Sequence, residues 1–600
     1  MNQNISEHLN NQSSYKYRLI NFTFFSFMFG LLMYVIFLKY YVKISYEIVP
    51  YGDAFTLEMG YYRILNEIAN GNAITAFQRV FGGNWYWLQN FLIFILSPIL
   101  SNDPYSLSLI NYLFYSLVSL NLYILLTNLE FKDYLSRSLA LLVWLWPINY
   151  HFSEHSALPV MGLDSTFLAA LYCMVFSYLN FLIKPECRFR QILFGFFLSA
   201  CLVARGNSIT VIVLLLLFPS LDFLIKLYKK KTFFKIKYFL IPGFFFIITI
   251  SIYYYMQLKK ILEYYAVFKG FLTNNLQLAY VYLKNIPGIF FYYPKPEKIN
   301  LINQTDFIIL SITILSHLIN FFAIYKVRKI SDDKIKLLLF TGVFIFYATF
   351  FINLLLWVNP HITIYNAQLI WAPMRIGFIL IVCFLFYCYR ENFSYMRANF
   401  LFSSFVILTL CISAFHYNLN KKELYKYNID SSPEKVKKIE NFIMQNSQNG
   451  KGIILWYDHY LSPRIVAYYQ MKENREVWYP FRGKYADDIW NQSYNSIDFQ
   501  TKVQKEIQDI FLSVDFLVLN ENSANYKDAP YAFYRYRNYI TEQVKKGLLD
   551  NFVVIAKTKS SKGELLFFKR NKTYATKKNF NYEFHKEGYK IITNAKIEIF

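Results

Sequence analysis

The sequence predicts an α-helical multi-pass membrane protein that ends in a soluble α/β domain. Of its 600 residues, 55% are hydrophobic and only 17% are charged, whereas soluble domains carry about 25% charged residues. Several apolar runs approach or exceed the roughly 20 residues that an α-helix needs to cross a bilayer. After Phe415 the composition becomes polar enough for a soluble domain. We therefore divide the chain into a transmembrane domain, 1–418, and a soluble domain, 419–600.

The charge pattern predicts topology. The formal net charge is +23, and much of the basic excess lies in short loops between apolar runs, such as the lysines at 229–231 and the basic cluster at 326–329. Cytoplasmic loops of membrane proteins carry such an excess, so the charge requires no nucleic-acid partner. The six cysteines lie in or beside apolar runs, which gives no indication of a disulfide framework.

The first apolar run, at about 19–38, is too long for the core of a signal peptide, and we expect it to be a retained span. Lys16 and Arg18 precede it and place the N-terminus in the cytoplasm. Residues 41–85 then form an outer loop. The pattern from Ala54 to Asn70 predicts a helix along the membrane interface, which Gly71 ends.

Ten further apolar runs follow, and the basic loops between them set their orientation. The run at 86–101 is short and contains Pro98, and parity requires it to be a juxtamembrane or re-entrant helix. The run at 190–225 is too long for one span and lies between two basic loops, so it must turn near 205–208. The count becomes about eleven spans, with the C-terminal domain outside. The runs are 86–101, 106–128, 137–151, 157–183, 190–225, 237–257, 305–326, 337–357, 366–389 and 399–416.

The soluble domain contains short apolar segments that read as buried strands. Predicted helices, at about 461–470 and 530–547, alternate with them. This alternation favours a small α/β layer. The predicted strands are 452–457, 515–520, 552–556 and 564–568.

Asp53 lies shortly after the first predicted span, at the start of the predicted interfacial helix. It suits two roles that are compatible with each other: a helix N-cap and a catalytic base. Glu58 is five residues further on and projects from a different side of the helix. A solvated or arginine-paired role for Glu58 is therefore favoured over that of a second catalytic acid. Arg63, on the same helix, is the arginine we expect near Asp53.

Two arginines lie within apolar runs. Arg205 interrupts the run at 190–225, and Arg375 lies inside the run at 366–389. A guanidinium at such a depth costs several kcal/mol unless it faces a polar cavity or a partner, and arginine binds phosphate through two parallel hydrogen bonds. The alternatives are that Arg205 reaches back to the surface at a hairpin turn, and that Arg375 pairs with Asp164.

Asp164 lies near the head of the span at 157–183. An aspartate within a membrane span is a functional-site hypothesis by default, and its alternative is a structural hydrogen bond to a neighbouring helix. His361 lies in the outer loop that precedes Arg375 and is a candidate substrate contact. His151 and His155 are at helical spacing, but the rest of a metal-binding constellation is missing, so we expect no metal.

These residues resemble those of the GT-C membrane glycosyltransferases. The resemblance is to the family that includes protein O-mannosyltransferases and the lipid A aminoarabinose transferase. Four features occur in the same order, and the soluble α/β tail also fits. They are Gly52-Asp53 before an amphipathic helix, Asn-Trp-Tyr-Trp-Leu at 84–88, Met-Gly-Leu-Asp at 161–164 and Val-Ala-Arg at 203–205.

The resemblance implies a bacterial inner-membrane enzyme that moves a sugar from a polyprenyl-phosphate donor to an acceptor hydroxyl at the outer face. Asp53 would be the general base. Arg205, with Arg375, would stabilise the phosphate leaving group. The acceptor is a glycan, a lipid or a protein, and no cofactor or metal is expected. Two other readings stay open from the sequence: a transporter or flippase of lipid-linked sugars, and a polysaccharide polymerase.

Overall fold

The computed structural model describes most of the transmembrane part of the chain and much less of the C-terminal part. The chain divides into two compact units. The first comprises Met1–Tyr41 and Glu67–Asn420, and the second comprises Val42–Asn66 and Lys421–Phe600. The described residues are 2–45, 53–82, 87–102, 104–146, 163–204, 208–229, 237–269, 304–357, 364–390, 393–427, 433–446, 452–455, 472–474, 516–522, 541–560, 563–571, 579–585 and 588–594.

Helices dominate the described residues. Two single turns of 3₁₀-helix, Ser97–Ile99 and Leu141–Trp144, follow α4 and α6. The helices are α1 (Asn2–Ser45), α2 (Asp53–Ala69), α3 (Ala73–Gly82), α4 (Trp87–Leu96), α5 (Pro104–Asn128), α6 (Asp133–Ala140), α7 (Leu163–Ile183), α8 (Arg188–Ala204), α9 (Ser208–Lys229), α10 (Leu240–Lys269), α11 (Gln304–Val327), α12 (Asp333–Trp357), α13 (Ile364–Cys388), α14 (Tyr395–Tyr427) and α15 (Pro433–Asn446).

The multi-pass membrane fold is confirmed. Within the described residues, five helical segments are long and apolar enough to cross a membrane, and three shorter apolar helices accompany them. The five are Lys16–Lys39, Ser106–Asn128, Ser165–Ile183, Lys237–Gln257 and Tyr395–Phe415. The shorter ones are Trp87–Ile99, Ile314–Val327 and Pro373–Cys388.

The helix α7 lies at the centre of the first unit. In its most apolar window, 94% of the residues are buried, against 11% for α10 and 17% for α14. The outward faces of α10, α11 and α14 carry large exposed apolar side chains, for example Phe244, Phe321 and Phe400. Soluble proteins rarely expose large apolar patches, and we assign these faces to lipid contact.

Small residues allow three helix pairs in this unit to approach closely. Gly30 of α1 lies against Ser116 of α5, and Gly195 of α8 lies against Phe245 of α10. Gly342 of α12 and Gly377 of α13 face each other, because a Cβ atom added at Gly377 would lie 2.6 Å from the carbonyl oxygen of Gly342. Without a hydrophobic driving force between helices in lipid, such close packing at small residues is a main source of helix association.

The long run at 190–225 is split where the sequence predicted. Its two helices, α8 and α9, end at Ala204 and begin at Ser208. In the described part of the run at 86–101, which begins at Trp87, the helices are the ten-residue α4 and a 3₁₀ turn. Ten residues extend about 15 Å, half of the roughly 30 Å of a bilayer core, as expected for a helix that does not cross.

The run at 137–151 differs from the expected continuous span. Its described part, up to residue 146, consists of the end of α6 and the 3₁₀ turn Leu141–Trp144. The turn contains no polar breaker, so composition alone does not mark the interruption. Leu141, Val143 and Trp144 are all buried, which indicates that tertiary packing fixes this irregular segment.

The second unit contains a mixed four-stranded sheet of order β1-β2-β4-β3. The strands β1 (Gly452–Leu455) and β2 (Phe516–Asn520) are parallel, and β4 (Gly563–Arg570) pairs antiparallel with both β2 and β3 (Phe552–Ser560). All four strands occur where the sequence predicted them. The predicted helix at 461–470 and most of that at 530–547 lie outside the described residues.

A second sheet, formed by β5 (Phe580–His585) and β6 (Gly588–Thr593), was not predicted. A single bridge between Asn522 and Lys590 joins it to the end of β2. Beside the larger sheet, the ring of Phe442 from α15 contacts Phe567 at 5.3 Å between centroids. The C-terminal α/β character is therefore confirmed.

Candidate active site

Arg375 is a buried cation in the interior of the first unit. It lies on α13 two residues after Pro373, and only 2% of its surface is exposed. It is among the largest fully buried side chains of the described residues. A guanidinium is expensive to remove from water, so its surroundings decide what it can do.

Aromatic side chains from three other segments surround this guanidinium. Its central carbon lies 5.6 Å from the ring centroid of Trp146, a distance at which a cation is attracted to an aromatic face. The guanidinium interacts electrostatically with the hydroxyl of Tyr172 on α7. It also interacts electrostatically with Tyr115 on α5. We call Arg375, Trp146, Tyr115 and Tyr172 the arginine cluster.

The arginine cluster lies about three turns from the start of each of its helices. Those starts are Pro104 for α5, Leu163 for α7 and Ile364 for α13. The charge pattern of the sequence predicts that all three starts face outward. The cluster therefore combines a buried positive charge with tyrosine hydroxyl groups near the middle of the helices.

A polar network occupies the first turn of α7. The Ser165 hydroxyl donates to Asn111 Oδ1 at 3.1 Å, and the Gln89 side-chain amide donates to Thr166 Oγ1 at 2.9 Å. All four side chains are buried. Asp164 precedes Ser165 as the second residue of α7, and its side chain lies outside the described part of the structure.

The helix α2 begins at Asp53 and ends at Ala69, close to the predicted bounds. Its backbone is described from Asp53 on, whereas the side chains of Asp53 and Glu58 are not. Arg63 is described and is half-buried. Gly71 follows the helix at φ +79°, and the amide of Asn72 donates to the carbonyl of Glu67 at 2.7 Å, which is the predicted glycine termination.

An ion pair that the sequence did not predict joins the end of α2 to α3. Arg79 Nη2 donates to Glu67 Oε1 at 2.6 Å, and Arg79 Nε donates to the same oxygen at 3.0 Å. The side-chain amide of Asn72 donates to Glu67 Oε2 at 3.2 Å. The hydrogen bond from Arg79, supported by that from Asn72, holds the pKa of Glu67 below its ordinary value.

Arg205 and His361 lie outside the described residues. The structure places Arg375 in the buried interior of the first unit and gives the helix positions of Asp53, Glu58, Arg63 and Asp164. The meeting of Asp53 with Arg205 stays a prediction. Among the described residues, no group of three or more His, Cys, Asp or Glu side chains is arranged to hold a metal ion.

Sequence reasoning missed the partners of Arg375. Trp146, Tyr115 and Tyr172 belong to apolar runs, and the periodicity of those runs does not say which neighbour each side chain meets. The network of Gln89, Asn111, Ser165 and Thr166 was missed for the same reason. The one available signal was the presence of amide side chains inside apolar runs, since such groups turn towards protein rather than lipid.

Neither a protein-family model nor a curated protein matches the sequence. Two solved structures are similar over most of its length. One is ArnT from Cupriavidus metallidurans in the apo state, with 9% identity, a TM-score of 0.47, and coverage of 91% of this chain and 97% of that one. The other is the same protein bound to undecaprenyl phosphate, with 9% identity, a TM-score of 0.46, and coverage of 90% and 97%. ArnT is the lipid A aminoarabinose transferase and has the GT-C fold. It belongs to the family that the sequence motifs resemble. At this identity and TM-score we base no functional argument on the likeness.

Proposed function

We propose that this protein is a membrane glycosyltransferase that moves a sugar from a polyprenyl-phosphate donor to an acceptor hydroxyl at the outer face of the bacterial inner membrane. The observation that carries the proposal is the burial of Arg375, at 2% exposure, beside Trp146 and Tyr172 in a multi-pass helical unit. A lipid-borne phosphate is an anion that enters such a unit from the bilayer. The sugar and the donor class come from the sequence resemblance.

The reaction is a displacement at the anomeric carbon of the sugar. The acceptor oxygen attacks that carbon, and the bond from the carbon to the phosphate oxygen breaks. Asp53 takes the proton of the acceptor hydroxyl, and the electron pair of the broken bond stays on the phosphate. A single displacement of this kind inverts the configuration of the sugar. General-base assistance is worth roughly 10²–10⁴-fold in rate.

Arg375 and Arg205 stabilise the charge that develops on the leaving phosphate. Charges placed in advance where the transition state needs them act strongly in a site from which water is excluded. Arg375 is almost fully buried beside the ring of Trp146, which shields its charge from water. We assign Arg63, Glu58, Asp164 and His361 to contacts with the sugar or the acceptor.

Orientation follows from the charge pattern. With the N-terminus in the cytoplasm and the C-terminal domain outside, Asp53 follows the outer end of the first span. The starts of α5, α7 and α13 then face outward, and the arginine cluster lies near the middle of these helices. Donor, acceptor and base would meet on that side. No metal or organic cofactor is needed for the displacement, because the donor phosphate is already an activated leaving group.

Purified protein in liposomes that contain a labelled polyprenyl-phosphate sugar distinguishes this function from transport. The proposal predicts that the label moves from the lipid to a hydroxyl acceptor and that the polyprenyl phosphate is released. A flippase would instead move intact donor between leaflets without consuming it. Donor that changes leaflet but stays intact, with every acceptor class supplied, would contradict the proposal.

A further inference from the structure

A group of cations lies where α11 ends, and the proposed reaction does not use it. Lys326 is in the last turn of α11, and Arg328 and Lys329 follow that helix. The backbone amide of Lys329 donates to the carbonyl of Lys326 at 3.1 Å, so a tight turn keeps both residues at the end of the helix. We call Lys326, Arg328 and Lys329 the basic turn.

Two aromatic rings hold the ammonium group of Lys326. Its Nζ lies 5.2 Å from the ring centroid of Phe322 on α11 and 5.3 Å from that of Tyr389, which directly follows α13. Both distances are within the roughly 6 Å over which a cation is attracted to an aromatic face. The rings position the ammonium group but carry no net charge, so its positive charge is not neutralised.

The two carboxylates that follow the basic turn in the chain have other contacts. Asp332 Oδ1 accepts from the backbone amide of Lys334 at 2.8 Å, and the Tyr387 hydroxyl donates to Asp332 Oδ2 at 3.5 Å. Asp333 is the first residue of α12, where the helix dipole favours a negative charge. Within the described residues, no carboxylate forms an ion pair with a side chain of the basic turn.

An exposed apolar surface lies directly beside the basic turn. Phe321, Phe322 and Tyr325 of α11 are exposed, and so is Tyr389. Exposed tyrosines are typical of the headgroup level of a bilayer, and lysines near the end of a membrane helix reach towards the same level. This surface therefore joins an apolar face that suits acyl chains to a group of cations that suits a phosphate.

We propose that the basic turn and the adjacent face of α11 bind an anionic phospholipid. Lys326 donates to the headgroup phosphate, Arg328 and Lys329 add positive charge beside it, and the acyl chains lie along Phe321 and Phe322. A soluble anion would leave the apolar side chains uncovered, and a zwitterionic lipid would supply no net negative charge. Basic pockets between membrane helices bind anionic headgroups by the same attraction. This inference is independent of the proposed function.

Native mass spectrometry of the full-length protein in detergent measures the affinity for the first bound lipid. Lys326→Gln should bind phosphatidylglycerol roughly 5-fold more weakly than wild type, because one cation near the membrane surface contributes about that factor. Lys329→Gln, at an exposed position, should show a similar loss. Lys326→Arg should keep the wild-type affinity, because arginine retains the charge and also stacks on aromatic rings. Equal affinity of wild type and Lys326→Gln would overturn the proposal.

Lys184→Gln is the matched control. Lys184 is an exposed lysine of the loop between α7 and α8, and the charge pattern predicts that this loop faces the same side of the membrane as the basic turn. The substitution changes the net charge as Lys326→Gln does, but it should leave the affinity for phosphatidylglycerol unchanged. Equal weakening by the two variants would show that only the total charge matters and would overturn the proposal.

Three further ligands test what the site recognises. Phosphatidylcholine with the same acyl chains should bind wild type and Lys326→Gln equally, because its headgroup has no net charge. Glycerol 3-phosphate, which has the phosphate and no acyl chains, should also show no difference. If it showed the loss expected for phosphatidylglycerol, the site would take a soluble anion and the lipid assignment would be overturned.

Undecaprenyl phosphate, named in the comparison above, is the third ligand. It should bind wild type and Lys326→Gln equally, because the proposed donor site lies on the outer side and the basic turn is predicted to face the cytoplasm. A loss of its affinity as large as that of phosphatidylglycerol would assign the basic turn to the carrier lipid of the sugar and would overturn the phospholipid assignment.

Discussion

The guanidinium carbon of Arg375 lies 5.6 Å from the ring centroid of Trp146. The two residues are far apart in the sequence, and α13 and the segment after the 3₁₀ turn Leu141–Trp144 bring them together. Trp146 also packs edge-on against Phe378 of α13, at 5.7 Å between ring centroids. Trp146 therefore contacts both the cation and an aromatic side chain of α13.

Arg375→Lys should lower the rate of sugar transfer by roughly 10²-fold or more. Lysine keeps the charge but lacks the planar group that stacks on Trp146 and binds phosphate through two hydrogen bonds. The measurement is the initial rate of transfer from a labelled polyprenyl-phosphate sugar at saturating acceptor.

Arg190→Lys is the control for that change. Arg190 is a half-buried arginine of the same unit, and it donates to Asn128 Oδ1 at 2.6 Å and to the carbonyl of Asn180 at 3.0 Å. Its replacement should lower the melting temperature and leave the affinity for the donor unchanged. If both arginine variants lost transfer equally, Arg375 would have a structural role only.

The Glu67–Arg79 ion pair should hold α2 against α3 at neutral pH and release it in acid. The pKa of Glu67 is lowered in the folded protein, mainly by the hydrogen bond from Arg79. The contribution of the pair is therefore fully present above the ordinary pKa, 4.5, and is lost as the pH falls through the lower folded value. Spin labels at Ala69 and Gln78, both exposed, should show a broader distance distribution in acid than at pH 7.

In Glu67→Gln the distance distribution between the same labels should be the same in acid as at pH 7. A wild-type distribution that stays sharp well below pH 4.5 would show that other contacts position α3. Because both side chains are partly exposed, we expect a local change and no measurable shift in global unfolding.

Gly377→Ala should destabilise the protein by roughly 1–3 kcal/mol. The added Cβ would lie 2.6 Å from the Gly342 carbonyl oxygen and 2.7 Å from the Phe346 backbone nitrogen, and neither backbone atom can move without separating α12 from α13. The measurement is the midpoint of unfolding in denaturant.

Gly243→Ala is the matched control, because a Cβ at this position of α10 meets nothing within 4 Å. It should leave stability unchanged or raise it by about 0.5–1 kcal/mol, the usual gain for alanine over glycine in a helix. Equal effects of the two substitutions would contradict the close crossing of α12 and α13.

The outward face of α11 should contact lipid. Phe321 is 76% exposed, and a spin label attached to a cysteine at this position, with the exposed Cys411 replaced by serine, should be accessible to oxygen and inaccessible to a water-soluble nickel complex. A label at Lys437 of α15, also exposed, should show the reverse. Strong nickel access at position 321 would place this face in water.

The sequence predicts the fold better than the site, for physical reasons. The split of 190–225 was predictable because Arg205-Gly206-Asn207 cannot continue an apolar span, and β1–β4 were predictable as short apolar segments between polar ones. The β5–β6 hairpin was missed because its strands mix polar with apolar residues and bury few of them, namely Phe580, Tyr589 and Ile591. The interruption at Leu141–Trp144 was missed because apolar composition does not distinguish a straight helix from an irregular packed segment.

For the site, the sequence identifies the charged member and leaves its partners unidentified. Arg375 is conspicuous because it is a cation within an apolar run. Its partners are aromatic residues of apolar runs. Nothing in the sequence distinguishes them from the other aromatic residues of those runs. Their convergence depends on helix rotation, and close contacts such as Gly30 with Ser116 and Gly342 with Gly377 fix that rotation.

The most direct test of the account is the rate at which Asp53→Asn, in liposomes, transfers sugar from a labelled polyprenyl-phosphate donor. Glu67→Gln, near the other end of the same helix, is the control. We expect Asp53→Asn to bind undecaprenyl phosphate as wild type does but to transfer sugar roughly 10²-fold more slowly or worse, while Glu67→Gln retains most of its activity. Transfer by Asp53→Asn at the wild-type rate would contradict the account.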